Sequence, residues 1–324
     1  MELLLVGDVM LGRLVNDVLR HRPPDFPWGD TLGLFRRADW RMCNLECVFA
    51  DGGTPWTPKV FHFRSDAKNL AVLRAAEIDA VALANNHTLD FGYDALAEML
   101  ATLDRAGLPH AGAGPDLARA ARPAICATAA GPIAVIAFTD NEPAWEATGA
   151  RAGVFYVPVD LADARAAELI RLVARTRAEA DFVIVSAHWG PNWGYTPPRE
   201  HVPFARALID AGADLVHGHS GHVVRGVEIY RGRPILYGAG DFVDDYAVDP
   251  AERNDQSFVF VVETDLRSVR GLRLYPTVIR SFQARLAERR ERTEIADLMR
   301  GLSADLGTTA LWDERAGCLR ISAG

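Results

Sequence analysis

Five short apolar runs, each ending in a cluster of polar residues, constrain this fold more than any other feature of the chain. Residues 2–7 lead into Asp8, 40–43 into Asn44-Leu45-Glu46, and 78–84 into Asn85-Asn86-His87. Residues 181–187 lead into His188, and 214–217 open the loop His217-Gly218-His219-Ser220-Gly221-His222. Apolar runs of this length, bounded by Gly and Asp and rich in Val, Ile and Leu, predict buried strands. A further strand is expected at 131–138, and helices at 94–106, 160–180 and 200–211. The second helix carries a stripe of Leu161, Ala164, Leu169, Leu172 and Val173. Strands alternating with helices give an α/β fold with a largely parallel sheet.

Beyond residue 217 the pattern changes to consecutive strands at 223–230, 234–237, 257–264 and 271–279. A β-meander added to an α/β half predicts two sheets packed face to face and flanked by helices. The tail predicts an amphipathic helix at 283–302 and a last strand at 317–321, packed on the same domain as residues 1–282. The hydrophobic content of 49 % supports a large core. A net charge of −8 argues against broad binding to nucleic acid or anionic membrane. Cys43, Cys47, Cys126 and Cys318 form no Cys-x-x-Cys pair and read as free thiols. With no signal-peptide pattern, no membrane anchor and no apolar stretch near ~20 residues, a soluble cytoplasmic protein is expected.

Polar residues at the carboxyl ends of strands sit where open α/β sheets place their sites. One such histidine is most simply structural. Five successive clusters of Asp, Glu, Asn and His point instead to one shared centre. Carboxylate, amide and imidazole donors without thiolate suit Mn²⁺, Zn²⁺ or Fe. The donors exceed what one tetrahedral ion uses, and two divalent ions ~3.5–4 Å apart would employ them all and activate a water.

Gly7-Asp8-Val9-Met10-Leu11, Asn44-Leu45-Glu46, Asn85-Asn86-His87 with Asp90-Phe91-Gly92, His188-Trp189-Gly190 and the His219/His222 loop follow the order seen in the CapA family. Segments 210–216 and 237–242 match as well, and the similarity runs from Leu3 to about residue 280. The chain thus resembles the capsule or poly-γ-glutamate biosynthesis branch of the calcineurin-like metallophosphoesterases. That resemblance implies a four-layer αββα sandwich with a dinuclear centre at the sheet edge. It implies Asp8 on the first metal, Glu46 as the bridge, Asn86 and His188 on the second metal, and His219 and His222 completing the pair. His87 would stand beside the metals as the acid that protonates a leaving group.

Three departures from the wider superfamily stand out. Met10 replaces a ligand histidine, Glu46 replaces a bridging Asp, and Asp241 stands where relatives often carry Asn. Asp241 is therefore a candidate acid/base residue, an orienter of a ligand histidine, or a capping group. His217 and Asp90 read as supports for the ligands. Arg13, Arg64 and Arg225 flank the loops as candidate clamps for carboxylate or phosphate, against ordinary surface ion pairs. Trp189 is a candidate substrate wall, against packing over the sheet edge. Gly112/Gly114 and Gly238/Gly240 lack the context of a dinucleotide motif.

Three functions compete. The first is a metal-dependent hydrolase acting on a phosphoester or a peptide-like, poly-γ-glutamate type substrate. The second is a metal-dependent peptide epimerase, with His87 and Asp241 exchanging a Cα proton. The third is a non-catalytic partner in polymer assembly.

Overall fold

The computed structural model describes residues 1–324 and places the strands in two main sheets. The ten-stranded sheet has Glu2–Val9 near its centre, between Trp40–Leu45 and Gln256–Thr264. The six-stranded sheet runs Val224–Tyr230, Arg233–Ala239, Leu215–His219, Phe182–His188, Gly131–Thr139 and Ala124–Thr128.

Alternation along Glu2–Val9 explains why two sheets require four layers. Leu3 and Leu5 point to one face, Leu4 and Val6 to the other, and all four are fully buried. Leu3 and Leu5 share a core with Ile133, Val135, Phe182 and Ile184 of the second sheet. Leu4 and Val6 pack with Leu96, Met99 and Leu103 of the helix Gly92–Ala106. On the far side, Val183 and Val185 meet Leu169 and Val173 of Ala164–Thr176, with Phe204 and Leu208 of His201–Asp210. The layers run helix, sheet, sheet, helix, which is the αββα order the resemblance implies. Each such buried side chain contributes about 1.5–3 kcal/mol.

Register then brings the strand ends together. Asp8 lies opposite Asn44 on one neighbour and opposite Asp241 on the other, both in parallel pairing. In the second sheet His188 lies opposite His219. Gly7 permits the close approach of the 239–241 turn, because a Cβ at that position would sit 1.9 Å from the Gly240 carbonyl oxygen.

The structure corrects several sequence expectations. The consecutive strands after residue 217 do not form one meander. Val224–Tyr230 and Arg233–Ala239 join the second sheet, whereas Gln256–Thr264 and Val269–Arg280 join the first. The tail helix is Arg289–Ala304, and Gln283–Leu286 is a strand paired with the end of Val269–Arg280. Ser281 and Phe282 both adopt positive φ, at 51° and 65°, forming the two-residue turn that reverses the chain there. Asp163 caps Ala164–Thr176 by accepting from the Arg165 amide, so Leu161 of the expected stripe lies outside the helix and is 47 % exposed. The edge strand Ala310–Asp313, paired with Cys318–Ser322, was not anticipated. All four cysteines are free and buried. No helix is long and apolar enough to cross a membrane.

Candidate metal centre

The ends of Glu2–Val9, Trp40–Leu45, Phe182–His188 and Leu215–His219 meet where the two sheets face each other. Asp8, Asn44, Glu46 and His188 have no solvent exposure there, and His219 almost none. Asn44 organises the carboxylates, its amide donating to Asp8 Oδ1 at 2.7 Å and to Glu46 Oε2 at 3.1 Å. Asn85 in turn donates to Asn44 Oδ1 at 3.0 Å. The backbone amide of Ser220 donates to Asp8 Oδ2 at 3.1 Å. Ser186 Oγ lies 2.8 Å from Nε2 of His219, which turns Nδ1 toward Asp8 Oδ1 at 3.3 Å and His188 Nδ1 at 3.0 Å.

Two overlapping donor groups result. Asp8, His188 and His219 form one, and Asp8, His222 and Asp241 the other, each with its donor atoms within 4.8 Å of one another. Asp8 is therefore common to both, a position the resemblance gives to Glu46. Glu46 lies between them and His87, with Oε2 4.0 Å from His188 Nδ1 and Oε1 3.9 Å from His87 Nε2. Its Oε1 is buried without a hydrogen-bond partner.

The charge balance of this interior is lopsided. Asp90 is paired with Lys59 at 2.6 Å and Asp245 with Arg13 at 3.2 Å. Asp8, Glu46, Asp241 and Asp244 are buried with no Lys or Arg partner. Burial pushes the Asp8 carboxyl up, but the hydrogen bond and charge of His219, aided by His188 and His222, hold it below the usual carboxylate range. Burial raises Glu46 and Asp241 well above that range, and the negative charge of Asp8 adds to both shifts. Asp244 is raised too, by burial and then by Asp241. Burial also lowers His188, beside His219, and His222. Unpaired buried carboxylates facing imidazole lone pairs are costly unless protons or cations neutralise them. These residues fit divalent cations by donor type, by burial and by uncompensated charge.

Asn86 and His87 follow the strand Ala80–Ala82. Asn86 Oδ1 lies 3.1 Å from His188 Nε2, which places it beside one of the donor groups. His87 Nδ1 lies 2.6 Å from Asp90 Oδ2, and the Phe63 amide donates to that same oxygen at 2.6 Å. Burial lowers His87 to about 4, against the pull of Asp90, so the ring is neutral at neutral pH. With Asp90 accepting from Nδ1–H, the Nε2 lone pair faces Glu46. The Phe63 ring stands edge-on to His87 at 4.6 Å.

Several candidates take different places from those expected. Both oxygens of Asp241 lie near His222 Nδ1, at 2.9 and 3.1 Å, which fits a group that orients His222 or shares its ion. His217 sits behind His219 at 5.2 Å between ring centroids, buried with neither ring nitrogen partnered. Trp189 is not a substrate wall. It is fully buried, donates to the Tyr237 carbonyl at 3.1 Å and packs on His201, because Gly190 turns the following loop outward at φ 77°. Arg225 is likewise no clamp for an outside anion. It is buried and donates to the carbonyls of Gly194, Pro191 and Trp193 at 3.0, 3.0 and 3.1 Å, holding the 190–198 loop. Arg64 donates to the Gly52 carbonyl at 3.1 Å and lies 4.7 Å over Phe91. Arg13 pairs with Asp245 at 3.2 Å and lies 5.0 Å over the Phe63 ring.

These placements carry two expected results. Arg225→Leu removes three charge-assisted hydrogen bonds and should lower stability by about 3 kcal/mol, with new protease cleavage at 190–198 and a lower unfolding midpoint. His201 is held at about 3 by burial, with Arg225 adding to the effect. It therefore stays neutral in the folded chain while the unfolded chain takes up a proton below about 6.5. Stability is thus lost as pH falls from about 6.5 toward 3, and His201→Phe should flatten that part of a urea-midpoint titration.

The sequence reading missed Lys59, Asn44, Ser186 and Asp244. Lys59 had a signal, since it and Lys68 are the only lysines among 35 basic residues. Asn44 lies in the Asn44-Leu45-Glu46 motif, where Glu46 is the expected ligand.

A family described as bacterial capsule synthesis protein PGA_cap matches residues 2–246. A probable polyglutamine synthesis accessory protein of Mycobacterium tuberculosis is 38 % identical over 285 residues, covering 75 % of this chain and 74 % of that one. The PGA biosynthesis protein CapA of Bacillus subtilis is 29 % identical, over 74 % of this chain and 62 % of its own length. Among solved structures, a novel phosphatase of Mycoplasma pneumoniae aligns at a TM-score of 0.49 and 10 % identity, over 89 % of this chain and 92 % of that one.

Proposed function

The chain belongs to the PGA_cap family of bacterial capsule synthesis proteins, and from that premise we propose that it is a metal-dependent hydrolase. Its substrate in this reading is a phosphoester or a peptide-like bond of the poly-γ-glutamate type. The observation that carries the reading is the pair of buried donor groups sharing Asp8, with four carboxylates that no Lys or Arg neutralises.

Asp8, His188 and His219 would hold one divalent ion, Mn²⁺ foremost. Asp8, His222 and Asp241 would hold a second, with Glu46, whose Oε1 is buried without a partner, as a further ligand. Bound there, such ions would polarise the scissile bond and acidify an attacking water. The chain's own contribution is proton transfer and placement. His87 enters neutral, with Nδ1–H held by Asp90 and Nε2 free to take a proton and return it to the leaving group. Asn44 and Ser220 fix Asp8, and Ser186 fixes His219, so the donors are set before substrate arrives.

Epimerisation would need a second acid/base group free to act opposite His87. Both oxygens of Asp241 are turned to His222, which favours hydrolysis. The name of the mycobacterial relative, an accessory protein, keeps an assembly role in view. Metal analysis of the purified protein, joined to a screen of phosphoesters and of α- and γ-linked glutamyl peptides, tests the proposal. Bound transition metal and Mn²⁺-dependent cleavage are expected. Absence of both ends the hydrolase reading, and full biological output from Asp8→Ala would favour the assembly role.

A further inference from the structure

Lys59 has no part in the reading above, yet it is the one lysine beside the centre. Residues 52–62 arch over the site between two tethered ends. The Thr54 amide donates to the Phe91 carbonyl at 3.1 Å and the Trp56 amide to the Asp90 carbonyl at 2.8 Å. At the other end, the Phe63 amide donates to Asp90 Oδ2. The arch exposes Val60 and Phe61, at 80 % and 55 %, while Lys59 between them and Pro58 turns inward. Its ammonium lies 4.6 Å over the Trp145 ring, donates to Asp90 Oδ1 at 2.6 Å and to the Asn86 carbonyl, and stands 3.3 Å from His87 Nδ1.

We propose that Lys59 is a positioning residue for His87, a step that rests on the proton-transfer role given to His87. Asp90 has no solvent exposure and receives Lys59 on one oxygen, His87 and Phe63 on the other. The ammonium occupies Asp90 Oδ1 and leaves Oδ2 to accept from Nδ1–H, so Nε2 is the nitrogen presented to Glu46. By binding the Asn86 carbonyl as well, Lys59 fixes the backbone that carries His87. A compact ammonium donates to several acceptors around one point, which a planar guanidinium does not. That distinction fits a lysine here in a chain whose basic residues are otherwise almost all Arg.

The test compares His87 ring nitrogens by long-range ¹H–¹⁵N spectra of metal-free wild type, Lys59→Met and Lys59→Gln at neutral pH, with His87 assigned through His87→Gln. Wild type should show the single Nδ1–H tautomer. Both variants should lose that pattern to a tautomer mixture, and trypsin-independent cleavage within 52–62, probed with thermolysin, should rise at least tenfold. An unchanged His87 pattern in either folded variant overturns the proposal, even if the arch is cut, because Lys59 would then only tether the loop. Mn²⁺ binding by wild type is measured separately. If it is absent, the metal reading fails, while the His87 comparison in metal-free protein still decides the role of Lys59.

Discussion

Mn²⁺ at about a thousandfold excess over its dissociation constant should raise the stability of the wild-type protein by about 4 kcal/mol, and its unfolding midpoint by roughly 5–10 °C. Glu46→Gln should abolish most of that increment. Burial and the charge of Asp8 already push the Glu46 carboxyl toward its neutral form, so a neutral amide of the same length suits the metal-free site. Asn44 and His188 retain a polar neighbour at 3.1 and 4.0 Å. The metal-free midpoint of Glu46→Gln should therefore equal or exceed that of wild type, while the metal-dependent gain falls below about 1 °C. Differential scanning calorimetry with and without Mn²⁺ measures both. A full increment in Glu46→Gln would remove Glu46 from the centre, and no increment in wild type would remove the metal.

His87→Gln should leave Mn²⁺ stoichiometry intact and reduce turnover of the substrate found in the screen by about 10²–10⁴-fold. His87 lies on the rim of the donor groups, 3.9 Å from Glu46 through Nε2 and bound to Asp90 through Nδ1. The glutamine amide can still donate to Asp90, but it cannot accept and release a proton near neutral pH. A loss confined to kcat, with bound metal unchanged by mass spectrometry, separates proton transfer from ligation. Loss of metal in His87→Gln would place His87 among the ligands, and unchanged turnover would remove it from the chemistry.

Much of this centre was legible because strand ends are the positions where a doubly buried sheet accepts polar groups. Asp8, Glu46, His188, His219 and His222 stood out by residue type against apolar runs, and the structure gathers all five. The longer strands and helices followed from period and punctuation, but the edge strand Ala310–Asp313 did not, and in the 283–302 tail two positive-φ residues made a hairpin out of an apparent helix start. Side-chain direction was less accessible. Trp189 and Arg225 flank the motif loops in sequence, yet Gly190 and the 190–198 loop turn both into the interior.

By itself the sequence determined that an α/β chain would carry Asp, Glu, Asn and His at consecutive strand ends, and hence the chemistry of the donors. Only the tertiary structure decided which donors share a position. Asp8 meets the Ser220 amide across 212 residues, and Asn44 meets His188 across 144. It also decided that Lys59 reaches Asp90 from an arch 31 residues away. Residue type is a local property that a pattern reveals. Pairing between sheets depends on register and on packing of the shared core, which no single segment encodes.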